Sequence, residues 1–217
     1  MIHNDYILRM ISQLAKVLAH IVQLREKGRD DDALREIDQS MQKLCGLNSQ
    51  LVNSLSEASL IAALRGGATL DVGKCLVLAG LLKEEGDVLL DRDREDDAAA
   101  RYLKSLALYL EAMHDDARLV LPSYVERIQT VAEALDEFMM PLEIRTSLME
   151  YYEMSGAFGA AEDVLLDMLE DEEDDAQAIG TGFYERMLAL TDDELATGDL
   201  PRDEVLEGLE RVRPATN

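Results

Sequence analysis

Three stretches of the chain repeat one arrangement. In Gly28-RDDD-Ala33, Asp93-REDD-Ala98 and Gly156-AFGA-Ala161 a turn residue stands five positions ahead of an alanine. Four residues beyond each alanine comes Ile37, Tyr102 or Leu165, and three further on Ser40, Ser105 or Met168. The alanines are 65 and 63 residues apart. A small residue followed one helical turn later by a large one is what the second helix of a tight hairpin needs: the alanine lets the first helix approach and the large side chain fills the groove beside it. The repeat predicts an all-α chain of antiparallel helical hairpins.

The periodicity between these turns agrees. Ile7, Met10, Ile11, Leu14, Val17, Leu18, Ile21 and Leu24 recur at threes and fours, laying an apolar stripe along a long first helix that should stop near Gly28. Asp30 to Asp32 suit the N-terminus of a second helix carrying Ala33, Leu34, Ile37, Met41 and Leu44. A polar interval, Asn48 to Ser54, precedes a capping-box pattern, Ser54 with Glu57, and a short apolar run that Gly66-Gly67 should end. Amphipathic helices are then expected from Asp71 to about Asp91, from about Glu95 to Asp116, from Pro122 to about Phe138, and from Pro141 to Ser155-Gly156 and back through Met168. A helix through Phe183, Met187 and Leu190 leads to a second capping box, Thr191 with Glu194, and Gly198 and Pro201 punctuate a last hairpin. No interval has the composition of an interdomain linker, so residues 1–217 read as a single helical domain.

Charge narrows the partners. With 45 Asp and Glu against 21 Lys and Arg, the formal charge of -24 repels nucleic acid phosphates and anionic membrane surfaces. The apolar N-terminus is interrupted by Asp5, Arg9, Lys16 and His20 and no small-residue cleavage site follows, so neither a signal peptide nor a membrane span is expected. Cys45 and Cys75 lie in apolar helical contexts without the close pairing of a zinc or redox site. Buried thiols and a cytoplasmic location are the expectation.

At this point the sequence resembles tetratricopeptide repeats, hairpin units of about 34 residues stacked into a solenoid. Leu82, Gly86, Leu89, Ala98 and Tyr102 of the middle hairpin fall on that family's large, small, aromatic, small and aromatic positions. The signature Trp is missing, Asp93 stands at the usual turn glycine, and the recurrence spans nearly two units, which implies an irregular or closed superhelix. Over nearly its whole length, through NDYILRMI, LLKEEGDVLLDRDREDDAAARYLKSLALYLEA and GFYERMLALTDDELATGDLPRDEV, the chain also resembles an uncharacterised bacterial family, a domain of unknown function with helical repeats.

Two patterns could carry chemistry. The acids Asp91 to Asp97 suggest a calcium loop, but Glu95 stands at its fifth position, Asp96 at the obligatory glycine and Tyr102 at the twelfth. Set beside RDDD after Gly28, the run reads as a solvated turn with acids at a helix N-terminus. Glu111 and His114, three apart on one helical face, resemble half of a carboxylate-bridged metal site, yet no second Glu-x-x-His accompanies them. No nucleophile motif or phosphate loop is present, and no cofactor is expected.

What remains is surface for a partner. By analogy with tetratricopeptide arrays, the outward positions of the first helices include Arg25, Lys83, Asp87, Thr146, Glu150 and Glu153. Arg25 and Lys83, cations in an acidic chain, either engage a partner's carboxylate or pair with neighbouring acids. The leading reading is a non-enzymatic interaction module that grips a protein or peptide. The alternatives are a carboxylate-rich metal protein using Glu111 and His114, and an acidic nucleic-acid mimic. The stripe on the first helix is also compatible with a homodimer.

Overall fold

The computed structural model describes residues 2–67, 69–115, 122–136, 138–171, 173 and 175–213. They form twelve helices and one two-residue strand pair, gathered into two compact units, Met1–Met139 and Met140–Asn217. The expected helix end at Asp116, and Glu172 and Asp174 within the run of six acids at 170–175, lie outside the described residues.

In the first unit α1 (Ile2–Glu26) and α2 (Asp30–Cys45) form one hairpin, and α5 (Val72–Leu90) and α6 (Glu95–Asp115) a second. Helix α5 departs from the amphipathic expectation. Fifteen of its nineteen residues are buried, because α1, α2 and α6 all pack against it. Its run Leu76 to Leu82, apolar on every face, is the sequence mark of a helix enclosed on all sides. Helices α3 (Ser49–Ser54), α4 (Glu57–Ala63) and α7 (Pro122–Glu133) complete the unit.

The polar interval Asn48 to Ser54 is itself helical, as α3. Asn48 caps it by accepting from the Leu51 N–H at 2.8 Å, and the buried Glu85 carboxylate of α5 holds it by accepting from Ser49 Oγ at 2.8 Å and Asn53 Nδ2 at 3.4 Å. The cap of α4 is Ser56, which accepts from the Ser59 N–H, and not Ser54, whose hydroxyl donates to the Leu51 carbonyl. Gly66-Gly67 does more than stop a helix. Arg65–Gly66 (β1) pairs antiparallel with Thr69–Leu70 (β2), in register Arg65↔Leu70 and Gly66↔Thr69.

The second unit holds the third hairpin, α8 (Leu142–Ser155) and α9 (Phe158–Glu170), followed by α10 (Ala176–Met187), α11 (Asp192–Thr197) and α12 (Arg202–Val212). Met149, Ala161, Leu165, Met168, Phe183 and Tyr184 are central to its core. The Thr191–Glu194 capping box forms in full. The last turn is made by Asp199 at φ 59°, not by Gly198, whose missing side chain leaves room for the Phe158 ring.

The three repeated stretches have one backbone solution. Gly28, Asp93 and Gly156 are all left-handed, at φ 64°, 57° and 79°. Each donates its N–H to the carbonyl three residues back, and the next residue donates to the carbonyl five back: Arg29 to Leu24, Arg94 to Leu89, Ala157 to Tyr152. This double bond pattern satisfies the last carbonyls of the first helix while reversing the chain. Ala33, Ala98 and Ala161 are completely buried beneath it.

Asp93 occupies a conformation that costs an L-residue about 1–2 kcal/mol and glycine nearly nothing. Replacing Asp93 with Gly is expected to raise unfolding free energy by about 0.5–1 kcal/mol, and Asp93→Val to lower it, both read from urea denaturation. Calcium should leave the wild-type melting temperature unchanged if the acids serve the turn.

Candidate functional site

The second hairpin brings its helices so close that one residue must lack a side chain. A Cβ on Gly86 would lie 2.5 Å from Tyr102 Cε1, so only glycine lets the Tyr102 ring cross α5. The ring is buried and its hydroxyl donates to Asp87 Oδ1 at 2.9 Å. That carboxylate's other oxygen accepts from Arg25 Nη1 and from Lys83 Nζ, each at 2.7 Å. Arg25 also reaches Asp91 Oδ2 through Nε at 3.1 Å and Nη2 at 2.9 Å, and Glu84 Oε2 at 3.4 Å. One guanidinium thus ties the end of α1 to the length of α5. The acids hold Arg25 above its ordinary pKa despite burial, and burial with the neighbouring Asp87 pushes Glu84 up.

The positions inferred from sequence therefore divide. Arg25, Lys83 and Asp87 form this network in the first unit. In the second, Thr146 donates to the Leu142 carbonyl at 2.9 Å, Glu153 takes a two-pronged bond from Arg186 at 2.6 and 2.7 Å, and Glu150 is exposed. Arg25 and Lys83 pair with neighbouring acids.

In the acidic loop Asp91 is bound to Arg25 and Asp97 to Arg94 at 2.6 Å. Glu111 is bonded to Arg65, which also approaches Asp115 at 4.0 Å, while His114 is exposed. Among the described residues no group of three or more His, Cys, Asp and Glu is placed to hold a metal ion. Cys45 and Cys75 are buried free thiols. Burial pushes Cys45 up to about 12 and raises Cys75 further, so neither presents a thiolate.

A feature invisible to spacing lies beside the network. A cleft of about 370 Å³ opens where Leu18 of α1, Gly80, Lys83 and Glu84 of α5, Tyr109 of α6 and Arg127, Thr130 and Val131 of α7 converge. Leu18 and Val131 supply apolar wall, and Lys83 and Arg127 supply cations. Tyr109 is buried at its base and hydrogen-bonded to Arg127. No periodicity links α7 to α5 across the 31 positions between them, so no local pattern signals this meeting.

Fold and cleft define a class: a mostly helical protein of hairpins with partly buried ion pairs and a small amphoteric recess. Over residues 1–217 the chain matches a family of unknown function, DUF6483, and belongs to it. No curated protein and no solved structure matches the chain.

Three carboxyls, Glu84, Glu162 and Asp167, are raised above their ordinary values, burial being the largest cause in each. An acid with a raised folded pKa binds protons more readily when folded, so its stabilisation is complete below the unfolded value and is lost as pH rises through the folded one. Asp32 and Glu194, held low by Arg35 and by the Thr191 N–H respectively, lose their contribution only in stronger acid. The urea midpoint is expected to be higher at about pH 5.5 than at about pH 7.5, and the difference to shrink in Glu84→Gln.

Proposed function

We propose that the protein is a non-enzymatic interaction module, tetratricopeptide-like in its hairpins, that holds a segment of a protein or peptide in the cleft beside Lys83. The observation that carries this reading is the cleft itself. Lys83 spends one ammonium proton on Asp87 and lies 3.8 Å from Glu84, and its side chain is about a quarter exposed, at 27%. An entering carboxylate can accept a hydrogen bond from a remaining N–H while Val131 receives an aliphatic side chain. Glu126, an exposed residue of the lining, can accept from a backbone N–H donor. A chain end bearing an aliphatic residue and its terminal carboxylate fits these groups.

Arg25 plays a different part from the one the hairpin analogy gives it. With three carboxylates around it, it serves as the rivet that holds α1 on α5, and its substitution is a stability experiment.

The test is a library of peptides with free C-termini, panned against the full chain. The expected result is enrichment of aliphatic C-termini whose binding falls about tenfold or more in Thr130→Trp, which blocks the mouth from an exposed position, and in Lys83→Ala. Helical circular dichroism should be kept in both. Selected peptides that bind these variants as well as wild type would overturn the reading. So would near-stoichiometric iron, manganese or zinc in the purified protein, which would return attention to Glu111 and His114.

A further inference from the structure

The apolar stripe seen in the sequence of α1 is two stripes. Ile7, Met10, Leu14, Ile21 and Leu24 are buried in the first unit. Beside them runs a second set, Leu8, Ile11, Ala15, Leu18 and Val22, again spaced by threes and fours. Leu8 is 60% exposed and Val22 39%, Ala15 is exposed, and Ile11 and Leu18 are half-buried at the edge. Exposed large apolar residues in register over four turns of one helix mark a contact surface.

From this face we infer that the protein is a homodimer in which α1 packs antiparallel on α1 of a second copy. Two properties of the stripe select a second copy as the occupant. The first is its symmetry. Leu8 and Val22 lie seven residues either side of Ala15, and Ile11 and Leu18 four before and three after it, so reversal about Ala15 brings each large residue to within one position of another. A two-fold interface requires that self-complementarity: Leu8 meets Val22 of the partner, Ile11 meets Leu18, and Ala15 meets itself. The small residue on the axis lets the two helices close to about 8 Å.

The second property is charge. The chain carries -24, and two copies approaching by most of their surface bring acid against acid. Among the described helices α1 is the one in which cations outnumber acids; with Arg25 bound to the acids of α5, Arg9 and Lys16 balance Asp5 and Glu26 over the rest of it. It is therefore the face at which self-repulsion is least. By length and composition the stretch Asp5–Glu26 would also cross a bilayer, which an expectation based on uncharged runs alone passes over. In this structure 28% of the apolar window of that stretch is buried, along the Ile7 to Leu24 stripe, and the second stripe is left to be covered.

The experiment is sedimentation equilibrium of the full chain, with a mass of twice 24.2 kDa expected. Ala15→Arg places two guanidinium groups on the axis and should raise the dimer dissociation constant by about tenfold or more, without loss of helicity because position 15 is exposed. Ala15→Cys should form a disulfide-linked dimer under mild oxidation, since Cys45 and Cys75 are buried and do not compete. A monomer at about 100 µM, or a dimer that survives Ala15→Arg and does not cross-link at position 15, would overturn the inference. Binding of the monomer through this face to vesicles of equal parts phosphatidylglycerol and phosphatidylcholine would overturn it too, and give the stripe to a membrane.

Discussion

The first unit depends on the enclosure of one helix. Once α5 gives up solvent on nearly every face, α1, α2, α6 and the short α3 are required to cover it. Its polar residues can then stay only where a partner reaches them. Glu84 and Asp87 face α1 and receive Arg25, while Glu85 faces the opposite way, receives Ser49 and Asn53, and lies 3.4 Å from Arg101 Nε. An unpaired charge at any of these sites would cost far more than a surface ion pair returns, so the arms of α5 fix which neighbours lie on which side. Gly86 sets the remaining dimension, the separation from α6, through the Tyr102 ring.

The second unit reaches the same device with different residues. A Cβ on Gly208 of α12 would stand 2.2 Å from Tyr184 Cζ, and the Tyr184 hydroxyl donates to Glu162 Oε1 at 2.7 Å. A ring crosses a glycine and is anchored by a carboxylate, here on a third element, α9, and in the first unit on α5 itself. In both places burial and the carboxylate raise the tyrosine pKa, so the phenol stays a donor under all ordinary conditions. Both units thus draw their close helix contacts from glycine and aromatic surface, which suits a chain with three phenylalanines and no tryptophan.

What could be read in advance follows the range of the interaction. Turns were legible because their causes lie within six residues: Gly28, Asp93 and Gly156 take the left-handed conformation, and the alanines after them are buried. The Thr191 box was legible for the same reason. Ser54 with Glu57 met the same pattern and failed, because Asn48 had already begun a helix ending at Ser54 and the next start fell to Ser56. That earlier helix depends on Glu85, more than thirty residues away, and no local pattern reports it. The division at Met139–Met140 had no compositional mark either, since Phe138 to Pro141 differs little from the other helix junctions. At the site, spacing singled out Arg25 and Lys83 as scarce cations but could not say how many carboxylates surrounded each. The cleft escaped because α7 enters it from a distant part of the chain.

That asymmetry in partner number separates two cations that look alike in sequence. Arg25 has five donors in a rigid fork and three carboxylates within reach, one nearly buried, so its hydrogen-bonding capacity is close to spent on the fold. Lys83 has three donors on a flexible stem and one short bond, at the mouth of a cleft with apolar walls. A guanidinium held by several acids is costly to free, and a ligand would have to displace all of them together. An ammonium with a single short bond gives up little by turning to a new carboxylate. Of the two, Lys83 is the cation that the fold uses less, and the proposed recognition of a carboxylate rests on it.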